Sequence, residues 1–411
     1  MPQPHRPSAP ARRVLIIVEN LPVPLDRRVW TEALALNKAG YQVSVICPRT
    51  EKCPLAFETI DGIDVHRHSI PLDAHGIGGY VLEYAAALFG ELRLAWRIRG
   101  GRGFDVIQLC NPPDILFLTA LPFRWLDGCR IIFDHHDPFP ELFAVKFPSK
   151  LWLSRLVGIA ERLTFRFADR VISTSEALRG LAVSRGGVAP DKVALVRSGI
   201  DLTRMPRLPA DPALRQGARH LVVYLGLIGS QDGVDILVDA AHHILSHRGR
   251  DDIRFLVIGD GPMLDTVKIQ AKLLEIADKI EFAGFVSGDA LCRLLASADV
   301  GVCPDPKNEF NDKLSMNKVL EYMAFGLGMA LFPLEESMTL AGPAGEVAHG
   351  PEASDLADAI LRLIDDEPRR DALKTIARQR VEEHFSWPLH EKIYLEVYDQ
   401  LFSEIEAAKR T

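Results

Sequence analysis

The residues best suited to chemistry lie in one stretch, a polar loop from Pro306 that runs into a short helix ending at Gly326. Ser315 is the expected N-cap and Gly326 the expected C′ residue, with Met316, Val319, Leu320 and Met323 as the apolar stripe. At 3.6 residues per turn, Asn317 and Glu321 share a face beside that stripe, so a carboxylate there can look into a cleft. Lys313 and Lys318 fall near the first-turn N–H groups that lack helical partners, a combination that suits a phosphate or diphosphate. Taken alone, the same stretch also reads as a capped helix with solvated lysines.

A second group precedes it in the chain. Asp134-His-His-Asp137 follows a buried apolar run, and Asp26, Arg27 and Arg28 open a helix. Two arginines at a helix start can hold a phosphate, or can pair with Asp to fix a loop.

These groups need rigid elements to position them. Val14-Leu-Ile-Ile-Val18, a turn-rich loop, an amphipathic helix from Arg27 to Ala39 and a strand from Gln42 make a strand–helix–strand unit of doubly wound type. Further buried strands are expected at 106–109, 130–133 and 170–174. After a Pro- and Arg-containing linker at 201–219 the pattern restarts, with strands at 221–225, 255–258, 280–282 and 300–303, a helix over 234–247 and a last helix over 387–408. The fold class is α/β, with two Rossmann-like parallel-sheet domains facing a cleft. Their bounds are 1–200, completed by 387–411, and 201–386. Gly226, Gly229, Gly233, Gly259 and Gly261 all fall at strand ends, where open parallel sheets bind ligands.

A length of 411 residues suits two domains, and 47% hydrophobic with 25% charged residues is ordinary globular composition. Six scattered cysteines form no CxxC pair, so neither zinc nor a disulfide framework is signalled, and a reducing, cytoplasmic setting is expected. No signal-peptide pattern opens the sequence, and no apolar run approaches the ~20 residues of a spanning helix. The net charge of −7 conceals a basic first half: residues 1–200 carry 25 Lys and Arg against 20 Asp and Glu. Nucleic acid is an unsuitable partner, since no basic stretch is interleaved with aromatics.

Together, Val18-Glu-Asn-Leu-Pro-Val-Pro-Leu-Asp-Arg-Arg-Val-Trp30, Cys110-Asn-Pro-Pro-Asp114, Phe133-Asp-His-His-Asp-Pro-Phe-Pro-Glu141, Tyr224-Leu-Gly-Leu-Ile-Gly-Ser-Gln-Asp-Gly-Val-Asp235 and Asn311-Asp-Lys-Leu-Ser-Met-Asn-Lys-Val-Leu-Glu-Tyr-Met-Ala324 resemble the retaining glycosyltransferases of family 4. These have the GT-B architecture, and the resemblance is to a branch active in exopolysaccharide and lipopolysaccharide assembly. It implies a nucleoside diphosphate sugar, in the first instance a UDP-sugar, as co-substrate, a lipid-linked or growing glycan as acceptor, and no cofactor or metal. Glu321 would take the ribose hydroxyls, the backbone near Phe285 and Val286 would read the base, and Gly226, Gly229 and Gly259, with Ser315, Met316, Asn317 and Lys318, would surround the donor. His136, or alternatively His135, would touch the transferred sugar, with Asn20, Asp26, Arg27, Arg28 and Asp137 on the acceptor side. Three positions depart from the family pattern: Leu227 and Asp232 replace basic residues of the first Gly-rich loop, and Gly328 replaces a proline. Lys313, standing where the family has a first glutamate, would supply the missing charge. The departures leave open a degenerate sugar-nucleotide-binding partner protein, and a GT-B sugar-nucleotide epimerase is the other alternative.

A lipid-linked acceptor implies peripheral attachment to the inner face of a membrane. In residues 149–170 Arg155, Arg162, Arg166 and Arg170 recur at helical spacing beside Leu151, Trp152, Leu156, Phe165 and Phe167, and residues 80–102 carry Arg93, Arg97 and Arg99. Such helices suit an anionic membrane surface.

Overall fold

The computed structural model describes residues 12–69, 76–147 and 151–409. Two compact units emerge, Met1–Val196 with Glu391–Thr411, and Arg197–His390.

The first unit is built on β1 (Arg13–Val18), α1 (Arg27–Lys38), β2 (Gln42–Pro48), β3 (Phe57–Ile60), β4 (Ile63–His68), α2 (Gly76–Gly100), β5 (Val106–Cys110), α3 (Phe117–Asp127), β6 (Arg130–His135), α4 (Phe139–Lys146), α5 (Leu151–Phe167), β7 (Arg170–Ser173), α6 (Glu176–Ser184) and β8 (Val193–Leu195). The sheet order is β3-β4-β2-β1-β5-β6-β7-β8, parallel except for the β3–β4 hairpin. β1 pairs with both β2 and β5, so the winding reverses direction there. The unbroken apolar runs follow from burial on both faces: all of β5 and all but the first residue of β1, β2 and β6 are buried.

The second unit contains β9 (His220–Leu225), α7 (Val234–His242), β10 (Ile253–Ile258), α8 (Leu264–Leu273), β11 (Ile280–Gly284), α9 (Gly288–Ser297), β12 (Val300–Cys303), α10 (Asn317–Phe325), β13 (Gly328–Leu331), α11 (Glu335–Ala341), β14 (Gly345–Val347), α12 (Ala353–Ile364), α13 (Glu367–Arg380) and the start of α14 (Trp387–Ala408). Its six parallel strands run β11-β10-β9-β12-β13-β14. One core packs α9, α10 and α11 on one face of this sheet, and a second packs α7, α8 and α12 on the other. From Glu391 onward α14 belongs to the first unit, where Tyr398 and Phe402 pack on Tyr41 and Arg12 pairs with Asp399 and Glu406.

Two expectations are corrected. The helix expected over 234–247 is α-helical only to His242 and then widens into a π-turn over His243–His247. Ser315 does not cap α10: Met316 occupies the N-cap position, no side chain caps the helix, and the Ser315 Oγ is buried without a hydrogen-bond partner among the described residues. Gly326 does end α10, in the left-handed conformation that favours glycine (φ 73°).

Candidate active-site residues

In the second unit, α10 is tied to the sheet by Tyr322. Its hydroxyl accepts from the Leu225 N–H at 2.9 Å and donates to the Val302 carbonyl at 3.1 Å, joining the carboxyl ends of β9 and β12. Gly301 makes room for the ring, since a Cβ there would lie 2.5 Å from it. Two residues beyond the end of β12, Asp305 binds the Lys318 ammonium with both oxygens at 2.8 and 3.0 Å, and that ammonium stands 4.7 Å from the centre of the Tyr224 ring. Burial works to lower the Lys318 pKa, but Asp305 together with Tyr224, Cys303 and Asp232 more than reverses this and holds it well above the ordinary lysine value. Lys318 is therefore a buried, paired cation rather than a solvated one.

Glu321 is buried on the same helix, while Asn317 is exposed at its start and Met316 is buried. Met316 offers no side-chain acceptor to the first turn of α10, where the Val319 N–H turns back to the Met316 carbonyl at 3.2 Å. Gly226 follows β9, and its place for a Cβ lies 3.3 Å from Lys318 Cε, so the first Gly-rich turn and α10 are neighbours. Gly259 follows β10 with φ 148°, and a Cβ there would sit 1.8 Å from the Gly226 carbonyl oxygen, so only glycine lets these two turns touch. The Gly229 N–H donates to the Asp232 carboxylate at 3.0 Å. Leu227 and Phe285 are exposed, Val286 half-buried. Lys313, on the loop before α10, donates to the Glu309 carbonyl at 2.9 Å. Gly328 opens β13 where a Cβ would meet Leu373 of α13 at 2.8 Å, a packing reason for glycine at that departure.

In the first unit a buried polar network surrounds His136. Its Nε2 is 2.6 Å from Asp134 Oδ2 and 3.1 Å from Arg28 Nε. Arg28 also binds Asp134, Glu32 and the Val196 carbonyl. Gln108 donates to Glu32 and Asp134, and accepts from Tyr394 and Tyr398 of α14. Burial opposes ionisation of Asp134, yet the Arg28 guanidinium and His136 hold its carboxyl below the usual range; Glu32, under the same burial, is raised. Glu32, Cys110, Asp134 and His136 bring ligand atoms within 4.8 Å of one another, but Arg28 already supplies the cation there. Asn111, fully buried, accepts from the His136 N–H at 2.6 Å and the Asp137 N–H at 3.3 Å, and donates to the Asp137 carbonyl and Asp114.

The two adjacent histidines thus differ. His135 is buried between Phe133 and Phe165, and burial with Arg185 nearby lowers its pKa to about 3, so it is a neutral core group. The His136 side chain keeps 15% exposure. Of the two readings open for the arginines, Arg28 takes the structural one, paired with carboxylates; Arg27 and Asn20 are exposed, and Asp26 caps α1 through the Val29 N–H. Sequence reasoning did not find Asp305, Tyr322, Gly301, Asn111, Gln108, Tyr394 or Tyr398. Asn111 and Tyr322 lay within motifs of the resemblance, which gave them no role; the others carry no local signal.

Residues 25–204 match the model of Glycosyltransferase Family 4, and residues 219–366 match that of Glycosyl transferases group 1. The chain belongs to glycosyltransferase family 4. An uncharacterised glycosyltransferase of Methanocaldococcus jannaschii is 25% identical over 60% of this chain and 63% of its own. Among solved structures, the fold matches sucrose-phosphate synthase from Thermosynechococcus elongatus (TM-score 0.78, 18% identity, 96% of this chain and 100% of that one). It also matches HepE of Anabaena, solved in complex with UDP-glucose (TM-score 0.68, 16% identity, 95% and 99%). The fold is GT-B, as the family resemblance implied. The matched stretch spans between half and two thirds of the first curated relatives' own length.

Proposed function

We propose that this family 4 chain transfers a hexosyl or N-acetylhexosaminyl group from a UDP-sugar, with retention of configuration, to a lipid-linked or growing glycan in cell-surface polysaccharide assembly. The observation that carries this reading is Glu321, buried on a helix that Tyr322 ties to the carboxyl ends of β9 and β12, beside the turn at Gly226. A carboxylate so placed accepts both ribose hydroxyls of a nucleotide without a metal. The uncapped first turn of α10 and Lys313 offer N–H donors and positive charge to the diphosphate. His136 contacts the transferred sugar, and the leaving phosphate takes the acceptor's proton. HepE, similar in fold, binds UDP-glucose, which supports the choice of donor. The test is a panel of nucleoside diphosphate sugars: the right donor at 100 times its Kd adds about 2.7 kcal/mol of stability, and NMR of the product gives the anomer. A panel in which no donor stabilises the protein, or an inverted product, overturns the proposal.

A second reading, a sugar-nucleotide-binding partner protein without transfer activity, is favoured by one observation. The Asp232 carboxylate occupies the Gly229 N–H that a donor phosphate would use. Donor binding without turnover on any lipid-linked acceptor would select it.

The acceptor reading brings a membrane partner. α3 packs against both α2 and α5, and these helices leave Leu82, Phe89, Trp96, Leu118, Trp125, Leu126, Leu156, Ile159 and Leu163 exposed together with Arg93, Arg97, Arg155, Arg162 and Arg166. Along α5 the exposed set recurs on one face. Three parts of the sequence expectation change: Phe165 is core, Phe167 is half-buried against Phe117, and Arg170 starts β7 and pairs with Glu404. The side chains of Leu151 and Trp152 lie outside the described residues. No helix among the described residues is long and apolar enough to cross a membrane. We propose that this layer lies on an anionic inner leaflet, each Arg contributing about 1 kcal/mol. Flotation with phosphatidylserine vesicles that is unchanged by salt and by Arg155→Glu with Arg162→Glu would overturn it.

A further inference from the structure

Outside the network around His136, a second buried cluster joins three elements of the first unit. Glu19 stands just beyond the carboxyl end of β1, His68 is the last residue of β4, and Glu91 lies in the body of α2. They are 7, 6 and 0% exposed, and one ligand atom from each lies within 4.8 Å of the others. His68 Nε2 is 2.9 Å from Glu19 Oε2. The close approach of α2 is built in: Gly90 rests on His68, where a Cβ would come 2.8 Å from the His68 Cβ. Thr119 of α3 donates to Glu91 Oε2 at 3.0 Å and so orients that carboxylate with its other oxygen toward the cluster.

Apart from that His68–Glu19 contact, Glu19 Oε2, Glu91 Oε1 and both ring nitrogens of His68 make no well-aligned hydrogen bond among the described residues. The network around His136 meets the same problem, two buried carboxylates side by side, with a buried arginine between them. Here no Lys or Arg forms an ion pair with Glu19 or Glu91 among the described residues. What the cluster lacks is a cation, and what it offers is one imidazole nitrogen and two carboxylate oxygens.

We propose that Glu19, His68 and Glu91 form a site for one divalent transition-metal ion of the zinc class. A mixed N/O donor set suits Zn²⁺ and its neighbours better than Mg²⁺ or Ca²⁺, which favour all-oxygen shells. Thr119 is the outer partner that fixes the orientation of Glu91, as such partners do around metal ligands. The ion would cross-link β1, β4 and α2. This site is separate from the donor residues and does not depend on the transferase reading.

The test uses the full-length protein without a histidine tag, stripped with chelator and titrated with Zn²⁺ by calorimetry, and with Co²⁺ followed by visible absorption. About one equivalent of Zn²⁺ should bind and raise Tm, and Co²⁺ should give a d–d band. Glu91→Gln and Glu19→Gln, which keep side-chain shape, should each weaken binding at least 10-fold. A control removes the rival pair on the π-turn, His243 and His247, whose Nδ1 atoms lie 3.2 Å apart; His243→Ala with His247→Ala should bind as wild type does. Absence of stoichiometric binding in the wild type overturns the proposal, and so does binding that survives both glutamine variants or is lost in the control. If either glutamine variant fails to fold, the wild-type Co²⁺ spectrum still decides, since no band means no site.

Discussion

Removing the carboxylate of Asp305 would strand a lysine that is only 8% exposed. In the intact protein both Asp305 oxygens hold the Lys318 ammonium, and the Tyr224 ring lies beneath it. Breaking one partner of such a buried pair costs about 3–5 kcal/mol, because the remaining charge has neither water nor counter-ion. Replacing both partners by apolar residues of similar volume removes that penalty and is near neutral. We therefore expect Asp305→Ala to lower the stability of α10 and β12 by about 3–5 kcal/mol, and Asp305→Leu with Lys318→Met to recover most of it. A two-unit chain need not unfold in one step, so the assay is hydrogen–deuterium exchange read peptide by peptide. A loss below about 1 kcal/mol in the single variant, the range of an exposed pair, would refute the reasoning. A double variant no better than the single would do the same. The double variant also asks whether Lys318 serves the donor: its charge being offset by Asp305, UDP affinity should stay within a few-fold, and a loss beyond 10-fold would assign Lys318 to the diphosphate.

Glu321→Ala should weaken UDP binding by about 1.5–3 kcal/mol, the value of a hydrogen bond to a charged group; unchanged calorimetric affinity would remove Glu321 from the ribose. Lys313→Ala should reduce binding of UDP far more than binding of uridine, and equal losses would make the lysine structural. His136→Ala should lower turnover while leaving UDP affinity intact, so wild-type turnover in that variant would move the sugar contact elsewhere. The core histidine next to it predicts a pH dependence. His135 titrates near 3 when folded against 6.5 when unfolded, so between those values only the unfolded chain binds its proton. Its contribution to stability is complete above 6.5 and falls as pH drops, at up to about 1.4 kcal/mol per pH unit. His135→Leu should be less sensitive than wild type from pH 6.5 to 5 in urea unfolding, and parallel profiles would refute the neutral core assignment.

Strands buried on both faces were legible because their signal is local: β12 occupies the expected residues, and β1, β5 and β9 extend past expectation by one residue at one end. The β3–β4 hairpin was not, because β3 is an edge strand whose residues are all exposed or half-buried, so no apolar run marks it. The short strands β13 and β14 were lost for a related reason. Gly328-Met-Ala-Leu331 and Gly345-Glu-Val347 are strands by pairing with their neighbours, not by composition.

The capping of α10 shows where a local rule yields to tertiary structure. A serine one residue before the last non-helical position is a good cap by propensity, but the loop turns its hydroxyl into a buried position and leaves the first turn uncapped. Uncapped N–H groups are what an anion-binding helix needs, and a residue that satisfied them internally would compete with the ligand. The same logic separates Lys318 from Lys313. Both read as basic residues near a helix start, and what distinguishes them is Asp305, thirteen positions upstream and brought under the helix by the course of the loop. Around His136 the separation is larger still. Gln108 links Asp134 to Tyr394 and Tyr398, nearly three hundred residues away in sequence. No periodicity or motif couples such positions, because the coupling exists only once α14 has packed onto the first sheet. The network that fixes the orientation of His136 therefore belongs to the folded state alone.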